Sequence, residues 1–485
     1  MRREEFGGLL YDFRTRRLVF LKDPKLVDLV SGLATPSFVG AAAQGAGVTG
    51  SEVFRYERAV EKLRAMGMLV ERPGPGRSGA TGGGVGFGSG PPSSTSKPGR
   101  SQTKTMAQGL RSPICLTWEL TYACNLACTH CLSSSGRRDP AELKTSEAKA
   151  LIDEFERMQV FYVNIGGGEP TIRRDFWELV DYATAHHVGV KFSTNGSHIN
   201  AGVASRLAAD DYVDVQVSLD GATPEVNDAI RGQGSFATAT QALERLASAG
   251  VRDMKLSVVL TRHNVSQLDA FEAIAHRYGA QLRLTRLRPS GRGADVWDQL
   301  HLRPEQQRVA HSWLLSRGAE VLTGDSFFHL SAFGEALPGL NMCGAGRIVC
   351  LVDPVGDVYA CPFTIHESFR AGNVREGGFA RVWTEAAIFV ALREPQDGGA
   401  CSSCAEFDSC GGGCMAAKFF TGLPLDGADP ECVLGNGVAA LDSSGRRVIP
   451  SCDCDHSRTG FDTKNRGRIG VSKRQFDGTK GLCRV

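Results

Sequence analysis

Residues 114–131 read ICLTWELTYACNLACTHC. The first seven, ICLTWEL, alternate apolar and polar residues and are rich in β-formers, so they predict a strand. Directly after it, Cys124, Cys128 and Cys131 stand in a C-x3-C-x2-C loop. A loop this short brings three thiolates together, which suits three corners of a cubane iron-sulfur cluster and leaves the fourth iron open. Structural zinc is the competing reading, but zinc closes its tetrahedron with four ligands, and only His130 offers a nearby fourth.

Downstream, β-rich runs alternate with helical patterns as far as about Leu287. FYVNI, VGVKFS, VDVQVSL, KLSVVL and LRLTRL continue the strand series, separated by segments such as SEAKALIDEFERMQ, RDFWELVDYATAHH and ATQALERLASAG. This succession predicts an α/β fold with a parallel sheet and right-handed crossovers, whose chemistry gathers at the strand C-terminal ends. Polar turns end the strands at those positions. GGGEP carries Gly167, Gly168 and Glu169; STNG carries Ser193, Thr194 and Asn195; SLDG carries Ser218 and Asp220. The latter two turns also read as ordinary capping turns. Arg231 and Arg286 are weaker candidates, since lone basic residues near strand ends are more often solvated.

A chain of 485 residues exceeds what one core usually organises. With 55 Lys and Arg against 53 Asp and Glu, no global field draws it to nucleic acid or an anionic membrane. The start, MRREEFGGLLYDF, lacks the apolar stretch of a signal peptide, and a cytoplasmic protein is expected. Fifteen cysteines in that compartment point to metal ligation rather than disulfides. Residues 1–72 read as a small α+β domain: a hairpin from GLLYDF and RLVFLK, a helix from Pro24 to Leu33, and another from an N-cap at Ser51 to about Met66. Residues 73–111 read as a linker, since 20 of the 28 residues from Pro73 to Arg100 are Gly, Pro or Ser. A coil of about 40 residues reaches roughly 30–40 Å, so the small domain is expected to range over its neighbour. The core spans 112–315, a bridging segment 316–342, a second cysteine region 343–436, and a disordered tail 437–485.

The C-x3-C-x2-C loop resembles the signature of the radical S-adenosylmethionine (SAM) superfamily over residues 112–290. That resemblance implies a partial (β/α)6 barrel, SAM chelated to the open iron, and a 5′-deoxyadenosyl radical. It places Cys124, Cys128 and Cys131 at the reactive cluster. It also puts Gly167, Gly168 and Glu169 against the methionyl amino group, the main chain at His130 near adenine, and Ser193, Thr194, Asn195, Ser218, Asp220 and Arg231 among the SAM contacts. Cys343, Cys361, Cys401, Cys404, Cys410, Cys414 and Cys432 resemble the SPASM extension of peptide-modifying members. With Cys350 they imply two auxiliary 4Fe-4S clusters, one on Cys343, Cys350, Cys361 and Cys414, the other on Cys401, Cys404, Cys410 and Cys432. A zinc ribbon is the structural alternative there. Cys115 reads as a small buried hydrophobe, and Cys452, Cys454 and Cys483 stay unassigned.

Residues 1–72 resemble the small recognition domain of the pyrroloquinoline-quinone peptide chaperones, which takes a leader peptide as an added strand. Their winged-helix-like outline also suits DNA binding. Its candidate recognition helix, however, mixes Arg55, Arg58, Lys62 and Arg64 with Glu52, Glu57 and Glu61, whereas a phosphate-binding face is more one-sided. TWELTYACNLACTHCLSSSGRRDP, LTRLRPSGRGADVWD and CPF further resemble the mycofactocin-precursor maturases, and RREEFGGLLYDFRTRRLVFLK their separate peptide chaperone, here joined just before Met106. The resemblance implies a precursor peptide ending in Val-Tyr, oxidative decarboxylation of that tyrosine, and a carbon-carbon cross-link to the valine. It further implies three 4Fe-4S clusters and a reductant such as flavodoxin or ferredoxin. Other SPASM reactions, namely a Glu-Tyr cross-link, a thioether or sulfatase-type maturation, are the enzymatic rivals. A non-catalytic iron-sulfur carrier or a zinc adaptor is the rival from another class.

Overall fold

The computed structural model describes residues 1–13, 17–34, 38–69, 109–323, 327–335, 337, 343–394 and 399–435. Residues 73–108 of the expected linker and the tail 437–485, with Cys452, Cys454 and Cys483, lie outside the described residues.

Residues 2–21 form three antiparallel strands, β1 (Arg2–Glu4), β2 (Gly7–Asp12) and β3 (Arg17–Leu21). Six more strands, β4 (Cys115–Thr121), β5 (Tyr162–Gly167), β6 (Gly189–Thr194), β7 (Val213–Ser218), β8 (Lys255–Leu260) and β9 (Gln281–Arg286), pair in chain order and all in parallel. Parallel neighbours need crossovers, and helices such as Thr145–Arg157, Phe176–Ala185 and Ser235–Ser248 supply them. Alternation decides which face each strand turns to them: Leu116, Trp118 and Leu120 of β4 are almost wholly buried in the main core, as are Leu256, Val258 and Leu260 of β8. Phe155 stands edge-on between Trp118 and Phe379, at centroid distances of 6.0 and 5.2 Å.

Phe379 belongs to the second cysteine region, which is continuous with the barrel. Strands β10 (Leu351–Val352), β11 (Asp357–Tyr359) and β12 (Arg370–Asn373) extend the same sheet, β10 lying parallel to β4 with Leu351 opposite Thr117. The resulting order is β12-β11-β10-β4-β5-β6-β7-β8-β9.

In the N-terminal unit, helices Pro24–Gly32 and Val53–Ala65 match expectation, while Val39–Gly45 is an additional helix. The last helix starts at an N-cap of Glu52, not Ser51, because residues Gly50–Glu52 form a 3-10 turn ahead of it. The unit is docked rather than ranging over its neighbour. Tyr11 stacks on Phe161 and Tyr162 at 5.2 and 5.5 Å, and Leu9 joins Leu110 and Ile348 in one apolar cluster. Phe161 immediately precedes β5 and Tyr162 opens it, so the contact lies at the strand N-terminal ends, away from the cysteine loop.

Candidate active site

Strand β4 delivers the three-cysteine loop to the C-terminal end of the sheet. Backbone bonds shape it: Cys124 N donates to Gly136 O (3.0 Å), Gly136 N to Tyr122 O (2.8 Å) and Thr129 N to Ile230 O (2.9 Å). Arg292 holds it from the far side, Nε donating to Cys128 O (2.8 Å), Nη1 to Ser135 O (2.9 Å) and its main-chain N to Cys131 O (2.9 Å). Burial raises the thiol pKa of Cys124 and of Cys128, and mutual proximity of the three sulfurs raises both further. A cationic metal centre relieves that cost by binding thiolates. Among the described residues no three His, Cys, Asp or Glu converge on a single-ion site. His130, the neighbour that could complete a zinc tetrahedron, is engaged with Asp220 at 2.7 Å, and three cysteines on one loop fit a cubane with three protein ligands and one open iron.

The glycine-rich turn after β5 lies directly on this loop. Gly168 N donates to Thr121 O and Glu169 N to Ala123 O, both at 2.8 Å, and a Cβ built at Gly168 would stand 1.9 Å from Ala123 O. The Glu169 carboxylate is buried and already engaged, accepting from Thr194 Oγ1 (2.9 Å), Asn195 N (2.8 Å) and Thr171 Oγ1. It ties two strand-end turns together, while Asn195 Nδ2 reaches Asn125 Oδ1 of the cysteine loop at 2.8 Å. Ser193 Oγ accepts from Gln216 Nε2. Ser218 ends β7 one register step from Asp220.

Three candidates converge more closely than their sequence positions suggest. Asp220 is fully buried, its Oδ2 lying 2.7 Å from His130 Nε2 and 2.6 Å from Arg231 Nε, while its Oδ1 accepts from Val259 N (2.7 Å). Burial alone would raise its pKa, but Arg231 and His130 outweigh burial and hold it well below the carboxylate range. Arg231 is therefore a buried ion-pair partner beside Cys128, not a solvated surface residue. Arg286 is placed elsewhere. Its Nη2 donates to Asp429 Oδ1 (2.9 Å), its Nη1 meets His329 Nδ1 (2.7 Å), and its Nε lies 2.7 Å from Glu431 Oε2, all at the second cysteine region.

In that region Cys401, Cys404, Cys410 and Cys432 line one cavity, together with Phe407 and Asp429. Cys343, Cys361 and Cys414 form a second group in which burial and then neighbouring thiols raise the pKa of Cys343 and Cys361. Cys350, the fourth residue expected in that group, is fully buried just ahead of β10. Pairing of β10 with β4 brings it near Cys115 and Arg393. Cys115 itself is half-buried and accepts from Asn164 Nδ2 at 3.8 Å.

Against known proteins, the radical SAM superfamily matches residues 118–274, an iron-sulfur cluster-binding domain family matches 343–405, and the peptide chaperone MftB family matches 1–70. The mycofactocin maturase MftC of Mycolicibacterium smegmatis is 69% identical over 354 residues, covering 72% of this chain and 90% of that protein. The chain belongs to the mycofactocin maturase family. The maturase is likewise 70% identical to its counterpart in Mycobacterium ulcerans, over 72% of this chain and 95% of that one. Its fold is shared with Streptococcus suis SuiB bound to SAM, with a TM-score of 0.62 and 17% identity over 88% of this chain and 96% of SuiB. It is thus a radical SAM enzyme that works with SAM and iron-sulfur clusters on the mycofactocin precursor peptide. Among the described residues no helix is long and apolar enough to cross a membrane.

The maturase also has acidic groups at the barrel mouth that sequence patterns do not mark. Glu119 is buried on β4 with its Oε2 unpartnered among the described residues, and burial followed by repulsion from Cys131 and Asp353 raises its pKa strongly. Next to it, Asp353 accepts from Tyr122 OH at 2.8 Å, and burial lifts it from an ordinary 3.8 to about 6. In sequence Glu119 is one of the polar residues that alternate with Leu116, Trp118 and Leu120, so nothing in the pattern marks it as buried. Since the native state holds the Asp353 proton to higher pH, the native fold loses stability as pH rises from about 4 to about 6, by up to about 3 kcal/mol. Asp353→Asn is expected to flatten that slope in urea unfolding measured across this window; an unchanged slope would contradict the assignment.

Proposed function

We propose that the maturase oxidatively decarboxylates the C-terminal tyrosine of its precursor peptide and then joins the product to the neighbouring valine through a carbon-carbon bond. The close identity to mycofactocin maturases over most of their length carries this reading. Cys124, Cys128 and Cys131 would hold the reactive cluster, and the group formed there with SAM supplies a hydrogen-abstracting radical. The surrounding chain does the rest. The His130–Asp220–Arg231 triad and Arg292 fix the loop, and the Glu169 ties keep the strand-end turns in register.

Two auxiliary clusters complete the proposal, making three in all. The cavity lined by Cys401, Cys404, Cys410 and Cys432 supports one of them. The group of Cys343, Cys361 and Cys414 supports the other, with the buried Cys350 as its proposed fourth ligand. The N-terminal unit would capture the leader, a reading supported by the shared fold with SuiB, whose structure with its precursor peptide SuiA matches at a TM-score of 0.57. A cytoplasmic flavodoxin or ferredoxin would supply electrons.

The test is anaerobic reconstitution with reductant, SAM and a leader-bearing peptide ending in Val-Tyr. Loss of carbon dioxide and two hydrogens is expected in the first step. The second step closes the new bond without further change of mass, so fragmentation between the last two residues must then be suppressed. SAM cleavage beside an unmodified peptide would refute this chemistry and leave the family intact.

A further inference from the structure

Where the N-terminal unit meets the barrel, a cleft of about 530 Å³ opens between β1, the Arg111–Ser112 segment and the end of helix Thr145–Arg157. Its ionisable side chains are Arg2, Arg3, Arg111 and Arg157, and no carboxylate lines it. Arg2 forms a wall of the cleft and is 3% exposed. Its Nε pairs with Glu4 Oε1 (2.7 Å), and its Nη1 donates to Ser112 Oγ (2.6 Å), Pro113 O (2.8 Å) and Gln159 O (3.2 Å). Its Nη2 has no hydrogen-bond partner in the structure. Arg3 pairs with Asp28, whereas Arg111 and Arg157 are exposed and make no ion pair among the described residues. After Glu4 and Asp28 are set against Arg2 and Arg3, two positive charges remain at the rim. The exposed guanidiniums of Arg111 and Arg157, which have no ion-pair partner among the described residues, make the rim of the cleft complementary to an anionic ligand.

We propose that this cleft recognises acidic side chains of the precursor peptide as the peptide passes the seam between the N-terminal unit and the barrel. The inference rests on the peptide substrate described above and adds where its acidic residues are read. Three features favour a peptide over a small anion. The volume suits several residues rather than one ion. The four arginines are spread over both units, so one ligand touching them spans the seam. Beside them, β1 pairs with β2 alone, leaving its other edge without a strand among the described residues, and an extended peptide is complementary to such an edge. The cleft lies at the strand N-terminal ends, so it acts on affinity and docking and not on the reacting carbons.

The test uses the full reconstituted chain and a fluorescein-labelled precursor peptide, with fluorescence anisotropy as readout. Arg111→Glu with Arg157→Glu, both on the exposed rim, is expected to weaken binding by at least about 10-fold at low salt, with the gap narrowing at high salt. A peptide whose leader Asp and Glu are replaced by Lys is expected to bind the doubly reversed protein better than it binds the parent, a rescue that a merely damaged fold could not produce. Equal affinity of parent and double variant overturns the proposal. So does displacement of no peptide by inorganic phosphate that itself saturates the rim arginines, which would mark a small-anion site. Charge-dependent binding of a peptide that is never modified would uphold the cleft while removing the proposed chemistry.

Discussion

Gly168→Ala is expected to lower SAM cleavage by at least about 100-fold while the auxiliary iron stays in place. The added Cβ would stand 1.9 Å from Ala123 O and 2.5 Å from Ala123 C, backbone atoms that cannot rotate away as a side chain could. Ala123 precedes Cys124, and its carbonyl also accepts from Glu169 N, so relief of the clash moves the first cluster cysteine and the adjoining turn together. A displacement of about 1 Å at a site of this kind costs about two orders of magnitude in rate. The check is 5′-deoxyadenosine formation under reductant, set beside iron per chain. Cleavage at the parental rate in Gly168→Ala would show that the close approach is not needed.

Arg286→Met is expected to destabilise the folded chain by about 3–5 kcal/mol, because it leaves buried acids without their cation. Arg286 and Asp429 have side chains only 2% and 1% exposed, and Asp429 also accepts from Cys414 N at 2.7 Å. Arg286 holds Asp429 low against its burial, whereas Glu431, which burial lifts to about 7, can take up a proton instead. Most of the loss therefore falls on Asp429 and, through it, on Cys414. Adding Asp429→Asn to Arg286→Met is expected to recover part of the loss, since a neutral amide no longer needs the cation. Urea unfolding measures both. A loss below about 1 kcal/mol for Arg286→Met would contradict the role given to the pair.

The barrel was legible because its signals are local. Each of β4 to β9 carries its own alternation and its own closing turn, and C-x3-C-x2-C needs only eight consecutive residues to be recognised. What escaped depends on contacts distant in sequence. Strand β10 is two residues long, too short for any period, and its partner Thr117 lies more than two hundred residues earlier. That same pairing brings Cys350 within electrostatic reach of Cys115, a proximity that spacing along the chain does not reveal. Helix Val39–Gly45, of sequence VGAAAQG, lacks the charged face and caps that mark a helix, and packing of Ala42 and Ala43 defines it. Arg231 and Arg286 looked alike as single basic residues near strand ends. Both are buried in ion pairs, and their partners separate them, Asp220 beside the cysteine loop for Arg231 and Glu431 in the second cysteine region for Arg286. A linker composition predicted a ranging N-terminal unit, but Tyr11, Leu9 and Arg2 on that unit's own surface match Phe161, Ile348 and Ser112 of the barrel.

Cys124, Cys128 and Cys131 are held by backbone bonds, Arg292 and the His130–Asp220–Arg231 triad, and in the proposed function they would hold a cluster with one iron corner available to SAM. The most direct measurement compares anaerobically reconstituted parent with Cys124→Ala/Cys128→Ala/Cys131→Ala, scoring 5′-deoxyadenosine and iron together. The account predicts no SAM cleavage in the triple variant and retention of the iron bound by the auxiliary cysteines. Undiminished 5′-deoxyadenosine from that variant, or a parent that binds no iron, would contradict it.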